Sequence, residues 1–131
     1  VIKKDQIMSM ILEACPSFLK IWEKLYYQDL PYVVMGDLAR HLLNLYQDQR
    51  TDEFGPLCET IEIFQTNGDR FVKEFATIGI LEAIQNVWGN TNADPEDFYK
   101  FLLPESRKWW KDLNDFWAGK IPYVGAGLDN K

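Results

Sequence analysis

The chain predicts an all-α domain, and three observations carry that expectation. Pro, Gly, Asp and Asn punctuate the sequence into segments of helical length. Within those segments apolar residues recur three and four apart, the spacing of one helix face. No run of alternating β-branched residues offers a strand. About seven helices with short joints follow, in successive antiparallel hairpins that form either a compact bundle or a short stack of helix pairs.

The first helix is expected over about residues 4–15, with Ile7, Met8, Ile11, Leu12 and Cys15 on one face. Pro16 suits the first turn of a second, where "CPSFLKIWEKLYYQ" buries Phe18, Ile21, Trp22 and Leu25 before "DLP" ends it. A third helix from about Tyr32 to Asp48 has Val34, Leu38, Leu42 and Leu45 as its apolar stripe, opposite Asp37, Arg40, His41 and Asn44. The fourth, near residues 52–66, turns Leu57, Ile61 and Phe64 inward and Asp52, Glu59 and Glu62 outward. "NGD" is a turn, and Asp69 is placed to cap a long fifth helix over about 70–88. In the loop "GNTNADPED", Asp94 is a cap and Pro95 opens a short sixth helix. Pro104 opens the seventh, with Trp109, Leu113, Phe116 and Trp117 inward and the pairs Lys108–Asp112 and Lys111–Asp115 on the wet side. The reading is one helical domain over residues 1–118 and a tail over 119–131.

A chain of 131 residues buries a core without disulfides or metal. With 47% hydrophobic and 15% aromatic residues it does not have the composition of a disordered segment. No apolar run approaches the roughly 18 residues of a membrane span, and "VIKKDQIMSM" lacks a signal peptide's apolar core, so the expected location is cytoplasmic. Cys15 and Cys58 have neither CxxC spacing nor a neighbouring His, which points to buried reduced thiols. A Gly-rich phosphate loop, a GxSxG elbow, metal-ligand spacing and a basic stripe are all absent from the sequence. No cofactor or metal is expected.

The charge is uneven. Residues 51–100 hold ten acids against Arg70, Lys73 and Lys100, a net −7, while residues 1–50 are neutral and 101–131 carry +1. That middle third repels nucleic acid and anionic membrane and suits a basic protein partner. Asp52, Glu53, Glu59 and Glu62 form the preferred partner-facing ridge, and Asp94, Glu96 and Asp97 a second patch. Trp22, Trp109 and Trp117 stand at core spacing; Trp88 and Trp110 are less committed, and Trp110 is taken as an interface anchor.

The stretch "EFATIGILEAIQN", residues 74–86, is apolar nearly all round, the mark of a central helix. Glu82 stands at its polar end beside Gln85 and Asn86, and a carboxylate there must be paired, hydrogen-bonded or protonated. The structural reading joins Arg40, Glu82, Gln85 and Asn86 in one polar network, with Arg40 as the ion-pair partner. A helical di-metal site would need Glu-x-x-His, whereas the third residue on is Gln85 and His41 is the single histidine. A small enzyme centred on His41 and Glu82, with the carboxyl as general acid, is the catalytic alternative.

"LEACPSF", "GDLARHL", "RTDEF", "EFATIGILEAIQN" and "PESRKWWKDLNDFW", in that order, resemble a bacterial family of small helical proteins of unassigned biochemical function, from about residue 11 to residue 117. Similar small acidic helical proteins serve as immunity proteins in contact-dependent growth inhibition and related polymorphic toxin systems. The resemblance implies a cytoplasmic, non-enzymatic protein that binds and neutralises a cognate toxin domain, commonly a basic RNase-type nuclease. It supplies no catalytic residues. A helical adaptor for another basic protein is the other binding reading.

Overall fold

Residues 1–128 are described in a computed structural model, and their regular structure is helical apart from one isolated parallel bridge between Ile2 and Gly68. A 3₁₀ turn leads into α1 (Ile7–Ala14) and another, Pro16–Phe18, into α2 (Leu19–Trp22). Then come α3 (Pro31–Gln47) and α4 (Phe54–Asn67). α5 (Arg70–Glu74) runs on through a π-helix, Phe75–Leu81, into α6 (Glu82–Gly89); α7 (Glu96–Tyr99) and α8 (Pro104–Trp117) follow. With α5, the π-helix and α6 taken as one rod, the described residues form seven helices. The all-α expectation holds.

Local chemistry sets the ends. Pro31 and Pro104 occupy first turns, where their missing N–H costs nothing. Asp69 caps α5 by accepting from the Val72 backbone N–H at 2.9 Å. Gly68 before it has no room for a side chain, since a Cβ would overlap the Phe64 carbonyl and the Val72 side chain. α3 and α8 both end in a left-handed residue, Gln49 (φ 61°) and Gly119 (φ 76°). In each, the next backbone N–H returns to a carbonyl five residues back: Arg50 to Leu45 and Lys120 to Asp115, both at 2.8 Å.

The rod from Arg70 to Gly89 is the centre of the molecule, as its all-round hydrophobicity predicts. It packs against α3, α4 and α8, and Phe75, Ala76, Thr77, Gly79, Ile80 and Leu81 are buried within it. Its middle is wound as a π-helix, whose i→i+5 bonds insert an extra residue relative to an α-helix.

Two tryptophans form the heart of the core, and they are not the expected ones. Trp88 and Trp110 are fully buried, whereas Trp117 is 58% exposed. Each buried indole has its N–H satisfied, Trp88 by the Ala39 carbonyl at 3.1 Å and Trp110 by Glu96 at 2.7 Å. Phe98 makes ring contacts with both and Tyr46 with Trp88, while Phe54 packs on Tyr46, Phe98 and Phe101 behind them. On α8 the buried positions are Ser106, Trp110, Asp112 and Leu113 rather than the stripe through Trp109 and Trp117. Trp110 as an exposed partner anchor is thus excluded by its burial.

The segment read as a tail is tied down as far as it is described. Asp112, expected to pair with Lys108 on the wet side, is buried and accepts backbone N–H groups of Gly125 and Gly127. Lys108 pairs instead with Glu105 at 3.3 Å. Val124 packs against the core, and the remainder of the expected tail, residues 129–131, lies outside the described residues.

Candidate functional site

The acidic residues separate into internal ties and free surface. Glu62 faces α8, accepting from the Glu105 and Ser106 backbone N–H groups, each at 2.9 Å, and from the Ser106 hydroxyl at 2.8 Å. Glu96 is taken by the Trp110 indole. Glu53 is taken by the Ser17 hydroxyl. Asp52, Glu59 and Asp94 remain exposed, Asp94 capping α7 by accepting the Glu96 backbone N–H at 3.0 Å, and half-buried Asp97 pairs with exposed Lys100 at 3.4 Å and neighbours the Tyr46 hydroxyl.

Asp94, Asp97 and Glu59 line two hollows. A groove of about 700 Å³ is lined by Tyr46 and Phe101, by Gln49 and Thr51 from the α3–α4 connection, and by Asp94 and Asp97, so its charged lining is acidic throughout. Asp52 follows Thr51 directly. The Tyr46 phenol is held above its ordinary pKa by burial and by the neighbouring Asp97 carboxylate, so it stays a neutral hydrogen-bonding group beside the acids. A smaller hollow of about 310 Å³ joins Glu59 to Glu13, with Met10 and exposed Ile63 beside them.

His41 lies with a different carboxylate from the one expected. Its Nε2 is 2.7 Å from the Ser17 hydroxyl, which donates to Glu53 at 2.7 Å; the Ser17 backbone N–H reaches the same carboxylate oxygen at 3.3 Å. Phe18 packs on the imidazole with ring centroids 5.8 Å apart. Burial lowers the His41 pKa, outweighing the raising effect of Glu53. Glu53 is lowered in turn: burial alone would raise it, but hydrogen bonds from Ser17 and Cys15 and the His41 charge prevail. Ionised Glu53 only accepts, so the serine proton lies toward it and His41 donates from Nε2 to the serine oxygen. A serine nucleophile needs the imidazole to receive that proton. The chain instead ties the 3₁₀ turn at Pro16 to α3 and to the start of α4.

A model of the family described as Domain of unknown function (DUF7674) matches residues 8–118. The chain belongs to this family. No curated protein and no solved structure matches it. The DUF7674 match covers every motif on which the sequence resemblance rests, and it ends one residue after α8.

In this DUF7674 domain the expected Arg40, Glu82, Gln85 and Asn86 network does not form. Arg40 pairs with Asp37 at 2.9 Å, and Asp37 also accepts the Tyr27 hydroxyl at 2.5 Å. Asn86 is exposed. Gln85 alone bridges helices, donating to the Trp110 carbonyl at 3.2 Å while its Oε1 stays unbonded. Half-buried Glu82 makes no ion pair among the described residues, and desolvation raises its pKa.

Among the described residues no group of three or more His, Cys, Asp or Glu could hold a metal ion, and no helix is long and apolar enough to cross a membrane. Both thiols are buried. Burial pushes each pKa up to about 12, with Glu53 adding to the effect at Cys15, so neither is a nucleophile at neutral pH. Ser17 and Asp112 escaped the sequence reading. Pro16-Ser17 next to an isolated histidine gave no spacing signal, and Asp112 stood where a surface ion pair would.

Proposed function

We propose that this protein is a non-catalytic binding protein of the cytoplasm that captures a basic protein partner on its acidic groove, and that the partner is a toxin domain of RNase type which it neutralises. The observation that carries this reading is the groove between Tyr46, Phe101, Asp94 and Asp97, whose charged lining is acidic throughout. A cationic active site made to hold phosphates is complementary to such a surface. The aromatic rings beside the carboxylates suit stacked guanidinium groups. The likeness to immunity proteins of contact-dependent growth inhibition supplies the toxin class.

Internal use of Glu53, Glu62 and Glu96 narrows the interface to Asp52, Asp94 and Asp97, with Glu59 and Glu13 as a flanking patch. In this reading acid–base attraction gives fast, salt-sensitive association. The test is capture of the product of the adjacent upstream reading frame, followed by growth rescue in cells expressing it. Asp94→Asn with Asp97→Asn removes both charges while the amide oxygen at 94 can still accept the Glu96 backbone N–H, and is expected to weaken capture at least tenfold and abolish rescue with the fold retained. Capture of equal strength by that variant would overturn the placement. A partner with no toxicity would leave an adaptor for some other basic protein.

A further inference from the structure

We propose that the hollow between the π-helix and α8 is a binding site for a singly charged apolar carboxylate, a ligand class separate from the basic partner above. The hollow is about 480 Å³, and small-molecule sites span roughly 300–1,000 Å³. Its walls are apolar where Ile78, Trp109 and Val124 line it. Its polar lining includes Gln65 and Thr77, which are only 6% and 4% exposed. Gln65 Nε2 donates to the Thr77 hydroxyl oxygen at 3.0 Å, which leaves that hydroxyl its own proton as a donor. Thr77 and Ile78 both belong to the π-helix, a distortion that recurs at functional sites.

The charges around the hollow are not equally available. Glu105 is engaged by Lys108 at 3.3 Å. Glu74 lies near Tyr32, whose phenol is raised in pKa by burial and then by the Glu74 charge. Arg70 and Lys73 line the hollow with no ion pair among the described residues. Outside the Glu105–Lys108 pair the lining holds Arg70 and Lys73 against the single carboxylate of Glu74, a net charge of +1 that suits a monoanion, while the two acids disfavour a dianion such as a phosphate monoester. One wall is fixed by the Asp112 tether. Gly125, held by that carboxylate with φ 97°, lies so close to the Trp109 ring that a Cβ would approach within 3.3 Å, and Val124 precedes it.

The probes are octanoate, octan-1-ol and octyl phosphate, titrated into the whole chain by calorimetry with tryptophan emission as a second readout. Octanoate is expected to bind one to one, with a Kd below about 1 mM and at least tenfold tighter than the alcohol or the phosphate. Arg70→Gln with Lys73→Gln, two exposed positions, should weaken octanoate at least tenfold with the melt unchanged, and should leave the alcohol unaffected. Absence of saturable octanoate binding, equal affinity for octanol, tighter binding of octyl phosphate, or full affinity in the double variant would each overturn the assignment.

Discussion

The Glu62 carboxylate on α4 holds Ser106 at the start of α8, accepting from its backbone N–H at 2.9 Å and from its hydroxyl at 2.8 Å. Ser106 is fully buried beneath that carboxylate, so removing the carboxylate takes the acceptor from two donors of one buried residue. Glu62→Ala is therefore expected to lower stability by about 1–2 kcal/mol, the size of a lost cap with buried donors left over. Exposed Glu59→Ala should stay within about 0.5 kcal/mol of the parent. Urea unfolding of the two variants measures the contrast.

Glu82 gives the opposite sign. Burial raises its pKa above the ordinary 4.5, so the folded state binds the proton more tightly than the unfolded one. Its contribution is favourable below about pH 4.5 and is lost as pH rises through the folded pKa. Glu82→Gln should raise stability at pH 7, by less than about 1 kcal/mol because the side chain is partly solvated. The gain should vanish at pH 3.5, and urea midpoints at the two values read it directly.

His41 is the single histidine, so between about pH 5.5 and 7 it is the side chain expected to titrate. Its folded pKa lies below the ordinary 6.5, and protonation therefore favours the unfolded chain. Stability should be full above about pH 6.5 and fall as the pH drops below it. Glu53, lowered from 4.5, adds a second loss as pH falls through its folded pKa. His41→Gln should flatten the first decline and leave the second, which denaturation midpoints at pH 8, 6 and 4 separate.

Gln49 adopts φ 61° at the end of α3, in the helix-ending motif that α8 completes with Gly119. A left-handed conformation costs a residue with a Cβ roughly 1–2 kcal/mol. Gln49→Gly is expected to stabilise by about 0.5–1 kcal/mol after the greater freedom of an unfolded glycine offsets part of the gain. A rise in melting temperature checks it.

The helices were legible because their signals are local: prolines at first turns, Asp69 three residues before the N–H it caps, apolar residues at helical spacing. Faces beyond the π-helix were not. Projecting Glu82 and Asn86 at a constant 100° per residue assumes an α-helix throughout, and an inserted residue at 75–81 shifts the later positions by about one such step. Arg40 pairs within its own helix for the same local reason that makes three-residue spacing effective, with Asp37 one turn away. The site residues divided on what α8 demands. Glu62 and Glu96 look like surface acids in α4 and α7 until Ser106 and the Trp110 indole arrive from later in the chain to claim them.

The π-helix has a consequence for how this sequence can change length. Rewinding Phe75–Leu81 as an α-helix would expel one residue and swing α6 around its axis, carrying the Trp88 indole away from the Ala39 carbonyl. Loss of a single codon in this stretch is thus a repacking event at the centre of the molecule. The same loss between Gly89 and Asp94, where the chain is largely exposed loop, shortens only a connection.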